Sequence, residues 1–104
     1  MQLYYFIKML KIFVTYNDPE QVKSLEDMNL SGLKLIDALT TKGKKEAWRV
    51  KSHYSAKLDP FAVVLKGDKP VRAFYTEAED AINALIKYLK NELTRAGERE
   101  TTND

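Results

Sequence analysis

The sequence contains no cysteine, one histidine and one tryptophan. Without a thiol there is no disulfide, no thiolate nucleophile and no cysteine-ligated zinc or iron–sulfur cluster. With His53 as the sole imidazole, a multi-histidine metal centre within one chain is excluded too, and neither a metal nor another cofactor is expected. An excess of one charge sign is also missing. The chain carries 17 basic and 15 acidic residues, a net charge of +2, too balanced to argue for nucleic acid on total charge alone. No long uninterrupted apolar run occurs. The most apolar stretch, residues 1–16, is broken by Lys8 and Lys11 and has neither a basic leader nor a small-residue cleavage site. A membrane span or signal peptide is not expected, and cytoplasmic placement follows by default.

What is present suits one globular domain. The chain has 104 residues, with 44% hydrophobic and 31% charged, enough to build a core without staples. Leu10–Tyr16 is β-branched and aromatic and predicts a buried strand. Asp18, Pro19 and Gln21 read as a capping box with proline at the first helical position, opening a helix over residues 19–28. Leu33–Leu39 predicts a second strand. Lys42-Gly43 reads as a turn before a helix over Lys44–Tyr54, with Ala47, Val50 and Tyr54 inward. Phe61–Leu65, five apolar residues in a row, predicts a strand covered on both faces. Gly67-Asp68 turns the chain and Val71–Tyr75 returns as a hairpin partner. Thr76 and Glu79 read as a capping box for a last helix whose stripe is Ala78, Ile82, Leu85, Leu89 and Leu93, widened by Ala81 and Ile86.

Three local features resemble a known family. The strand end Tyr16-Asn17-Asp18-Pro19 is similar to the segment that leads into the Cys-x-x-Cys of glutaredoxin-type thioredoxin-like proteins. Asp59-Pro60 stands directly before a buried strand, at the place of that family's cis-proline. A hairpin and a capped helix close the chain. The resemblance implies a three-layer α/β/α domain with three helices and a four-stranded mixed sheet in the order 2-1-3-4. The domain spans residues 10–93, between an apolar extension, residues 1–9, and a polar disordered tail, residues 94–104. The resemblance also places Gln21 where the nucleophilic cysteine belongs and Ser24 where the resolving cysteine belongs. Gln21-Val22-Lys23-Ser24 has no sulfur and cannot form a mixed disulfide. Where the family carries a Gly-Gly pair for glutathione, this chain reads Val71-Arg72-Ala73-Phe74.

Four groups of residues invite functional readings. Asp18, Gln21, Asp59 and Pro60 would line a groove for an extended peptide, although a capping box alone accounts for Asp18 and Gln21. Lys44, Lys45, Trp48 and Arg49 belong to a run, residues 42–57, with six basic residues against Glu46 alone. Such a run suits phosphates and a stacked base, but charge runs are usually solvated helix faces, and that reading, with Trp48 packed on the sheet edge, is preferred over nucleic acid. His53 lacks any motif supplying a nucleophile and an orienting acid. Tyr4, Tyr5 and Phe6 precede the first strand and suit an arm that docks on another protein or a second copy. The leading expectation is a non-catalytic thioredoxin-like module, without redox activity, that works by protein contact. The alternatives are a structural or assembly subunit of a larger particle such as a phage virion, and a glutathione-handling enzyme relic.

Overall fold

The computed structural model describes residues 10–77 and 80–102, with side chains through residue 95. The apolar extension with Tyr4, Tyr5 and Phe6, and the helix-stripe and capping positions Ala78 and Glu79, lie outside the described residues.

Strand β1 (Leu10–Tyr16) is central. Its alternation sends Leu10, Ile12 and Val14 into one core and Phe13 towards the other, as the two-residue period of a strand requires. Strand β2 (Leu33–Asp37) pairs with it in parallel, Ile12 opposite Leu33 through Tyr16 opposite Asp37. Strand β3 (Phe61–Lys66) pairs antiparallel on the other side, and β4 (Lys69–Tyr75) pairs antiparallel with β3. The order is β2-β1-β3-β4, the mixed sheet expected from the sequence. Phe61, Ala62, Val63, Val64 and Leu65 are all buried, which explains why β3 has no polar alternation: both its faces are covered.

A 3-10 turn, Pro19–Val22, runs into the short helix α1 (Lys23–Glu26). Helix α2 spans Thr41–His53 and helix α3 spans Ala81–Thr102. Val22 and Leu25 share one face of the sheet with Ala81, Ile82, Leu85 and Leu89 of α3. Ala47 and Val50 of α2, with Tyr54, cover the opposite face against Ile36, Ala38, Phe61 and Val63. The result is three layers, compatible with a thioredoxin-like fold.

Several local expectations need correction. The Asp18 carboxylate accepts from the Glu20 amide at 3.1 Å, while the Gln21 amide donates to the Asp18 carbonyl at 3.0 Å. No reciprocal capping box forms, because the chain enters as a tight 3-10 turn. That helix also ends early, at Glu26. Strand β2 stops at Asp37, whose carboxylate accepts from the Leu39 amide at 2.9 Å and turns the chain out of the sheet. Thr76 does not cap α3; it donates its hydroxyl to the Pro60 carbonyl. Asp80 is the cap, accepting from the amides of Ile82 at 3.1 Å and Asn83 at 3.2 Å. The polar run expected to leave as a tail continues α3 to Thr102. Once a helix is nucleated by packing, each further residue adds a hydrogen bond at little cost. Here Thr94 also donates to the Lys90 carbonyl at 2.9 Å and Arg95 to Glu92 at 3.2 Å.

Gly43 is not a turn residue. Thr40 caps α2 by accepting from the Gly43 amide at 3.0 Å, so Lys42 and Gly43 form the first helical turn. A Cβ at Gly43 would stand 1.8 Å from the Asp37 carbonyl oxygen; glycine is there so that α2 can approach the end of β2. Replacing an ordinary helical glycine by alanine stabilises a protein by roughly 1 kcal/mol. Gly43→Ala is expected to do the opposite, lowering stability by about 1–3 kcal/mol through backbone displacement. Chemical denaturation of the variant checks the sign.

Candidate functional site

The expected site lies at the end of the sheet where β1 finishes. Tyr16 pairs with Asp37, and Thr15 pairs with Phe61 at the start of β3. The loops Asn17–Asp18, Ala38–Thr40 and Ser55–Pro60 therefore meet at the same end. Asp18 is extended, with φ −140° and ψ 117°, and Pro19 follows at the first position of the 3-10 turn. The Asp59–Pro60 peptide is cis.

The four corner residues have different environments. Asp18 is exposed and engaged with its own turn. Pro60 is buried, so its ring offers no contact surface. Asp59 is held in a three-membered network. The Thr15 hydroxyl donates to one carboxylate oxygen at 2.6 Å, and the Lys51 ammonium donates to the other at 2.8 Å. The Lys51 and Asp59 side chains are only 16% and 14% exposed, and Thr15 is fully buried. Both carboxylate oxygens are thus engaged, one by a hydroxyl and one by a cation, and hydrogen bonds to charged groups are the strong ones. The sequence reading missed Thr15 and Lys51. Thr15 gave the only clue, as a hydroxyl in an otherwise apolar strand, whereas Lys51 looked like any other member of the basic run.

Gln21 is the remaining corner residue. Its side-chain carbonyl oxygen is buried and has no hydrogen-bond donor among the described residues. Ser24, in the place of the resolving cysteine, is exposed. Nearby, burial first, then the carboxylates of Asp37 and Glu26, pushes the Tyr16 phenol above its ordinary value, so it is protonated at neutral pH. On the opposite face of the sheet an aromatic cluster packs at this end. Phe61 lies 6.1 Å from Tyr54 and 5.2 Å from Tyr75, ring centre to ring centre, and the Tyr75 hydroxyl donates to the Tyr54 carbonyl at 3.1 Å. The Thr15 hydroxyl, beside the Asp59 carboxylate, is fully buried.

His53 sits at the end of α2, exposed, its ring edge-on to Tyr54 at 4.7 Å. No hydrogen bond joins it to a carboxylate or hydroxyl among the described residues. No group of three or more His, Asp or Glu side chains there converges as metal ligands would. No described helix is long and apolar enough to cross a membrane.

The basic residues form a second candidate region. Lys44, Lys45, Trp48 and Arg49 are all exposed on α2, and Trp48, expected against the sheet edge, is 69% exposed. The buried face of α2 is formed by Gly43, Ala47, Val50 and Tyr54; Trp48 follows Ala47 by one residue, about 100° further around the helix. Two further large side chains are exposed near the corner: Leu39 at 67% and Leu58 at 51%.

Comparison of the chain with protein-family models, with curated proteins and with solved structures gave no match.

An unpartnered buried amide oxygen costs about 1–3 kcal/mol. Gln21→Met keeps the length and volume and removes that oxygen, so the variant is expected to gain about 1 kcal/mol of stability. A loss measured by urea unfolding would show that the oxygen has a partner.

Proposed function

We propose that this chain is a thioredoxin-like module of the glutaredoxin type that works by holding another protein and performs no thiol chemistry. The observation that carries the reading is the contrast at the loop end of the sheet. At the corner the one carboxylate with little exposure is already engaged, its two oxygens held by Thr15 and Lys51. The loops around them expose leucines instead. Leu39 follows β2 at the turn into α2, and Leu58 lies in the loop into β3, so both project from the end where Asp18 and Gln21 sit. Covering one leucine fully contributes roughly 1.5–3 kcal/mol. Two exposed leucines at one end of the sheet suit a protein partner, because apolar side chains clustered in water mark contact surfaces.

The fold supports this reading through its order and layers, which are those the resemblance implies. The arm residues Tyr4, Tyr5 and Phe6 stay a separate proposal. They lie outside the described residues, and the docking surface proposed at the loop end does not include them.

Leu39→Asp with Leu58→Asp tests the surface. Native extract is passed over wild-type and doubly substituted protein, each shown by circular dichroism to be folded. Partners retained by the wild type are expected to be lost by the variant. Titration of a retained partner should move the backbone amide signals of residues 17–21, 38–40 and 55–60. Partners retained equally by both proteins, or turnover in an insulin-reduction or hydroxyethyl-disulfide assay with purified protein, would contradict the proposal.

A further inference from the structure

The outer face of α2 carries charge that nothing nearby neutralises. Lys51 is committed to Asp59, and Lys34 of β2 to Glu46. Among the described residues, Lys42, Lys44, Lys45 and Arg49 have no carboxylate partner. A groove of about 740 Å³ runs between α2 and the edge strand β2, lined by Lys34, Thr41, Lys42, Lys45, Glu46 and Arg49. Four of those six are cationic and one is anionic. The field is strong enough to act on the one carboxylate inside it. The Lys34 hydrogen bond, then the charges of Lys34, Lys42 and Arg49, hold Glu46 below its ordinary value. Glu46 thus stays ionised and paired, and the cations around it are left for an incoming anion.

Trp48 narrows the kind of anion. An indole 69% exposed in the middle of a helix is poorly accounted for by folding, since burying it would favour the folded state. Lys44 and Lys45 lie four and three residues before it and are its neighbours on the helix surface. A ligand that covers the indole therefore places a flat apolar face beside anionic groups. Lys42, Lys45 and Arg49 rise along the axis in steps of about 4.5 and 6 Å. That is wider than the about 3.4 Å per nucleotide of a stacked strand, and it fits a strand whose bases are opened out. In a nucleotide the planar face and the anion belong to one repeating unit, whereas on an acidic protein the carboxylates and the aromatic rings belong to separate side chains. A duplex supplies phosphates but keeps its bases stacked on one another.

We propose that the outer face of α2 and the groove beside β2 bind single-stranded nucleic acid, with phosphates on Lys42, Lys45 and Arg49 and an unstacked base on Trp48. This face is distinct from the leucines of the loop end, and it stands or falls separately from the protein-docking role.

Trp48 is the chain's sole tryptophan, so its emission reports on this face directly. The full chain is titrated at low salt with an oligothymidylate of about 12 nucleotides, within the roughly 4–16 that single-strand sites span. The emission is expected to be quenched to saturation. With three phosphate contacts, the logarithm of affinity should fall against the logarithm of salt with a slope of about −2. Lys45→Gln should reduce that slope by about 0.7. Trp48→Leu, followed by anisotropy of a labelled strand, should weaken binding about tenfold. All these positions are on the surface, so circular dichroism should be unchanged in each variant. The proposal is overturned by absence of quenching at low salt, by equal affinity for polyglutamate, by tighter binding of a duplex of the same length, or by binding indifferent to Trp48→Leu. A shift of the emission to the blue on phosphatidylserine vesicles, with no response to the oligonucleotide, would also overturn it, in favour of a membrane surface.

Discussion

The Thr15 hydroxyl is fully buried in the central strand, and a buried hydroxyl must be hydrogen-bonded to be tolerated. Its partner is Asp59, which creates a second requirement: a carboxylate with little exposure needs a cation. Lys51 meets it from α2. One polar side chain in β1 is thus linked to the position of a helix on the sheet and to the loop that enters β3. With Lys51 drawn inward at the C-terminal half of α2, the helix is fixed about its own axis. Ala47 and Val50 then lie against the sheet and Trp48 does not.

Much of the fold was legible because its signals are local and repeated. Leu10–Tyr16 and the unbroken apolar run from Phe61 identify strands by composition, and Ile82, Leu85 and Leu89 identify a helix by spacing. The strand order is the one the resemblance implies, with a right-handed crossover expected between the first two strands. Misreadings occurred where a residue type serves two purposes. Gly43 was taken for a turn because glycine often marks one; its actual role, admitting a backbone oxygen, depends on a contact with Asp37 that spacing does not reveal. Thr76 and Asp80 are both good caps, and only the contact of Thr76 with the Pro60 carbonyl removes it from that role. The polar composition of residues 94–102 hid a helix that propagates from a packed start.

The candidate site was less legible. Asp18, Gln21, Asp59 and Pro60 do occupy one end of the sheet, but charge and polarity do not say which groups are already satisfied. Both oxygens of Asp59 are engaged, Pro60 is buried and Asp18 serves its own turn, so of the four Gln21 alone keeps a buried atom without a partner among the described residues. The exposure of Leu39, Leu58 and Trp48 was invisible in the sequence, since each falls beside a segment whose periodicity would bury it as readily as expose it. On this account the loop end and the outer face of α2 are two surfaces on one rigid frame.

The central claim is that the corner is a joint that stabilises the fold and not a reactive site. A double-mutant cycle on Lys51→Met and Asp59→Ala, followed by chemical unfolding, addresses it most directly. A joint predicts that Asp59→Ala alone lowers stability by about 3–5 kcal/mol, since it strands a half-buried ammonium and a buried hydroxyl. The two substitutions should couple by at least about 1 kcal/mol. A reactive site is often held at the expense of stability. If Asp59→Ala leaves the protein as stable as before or more stable, with no coupling to Lys51, the account is wrong.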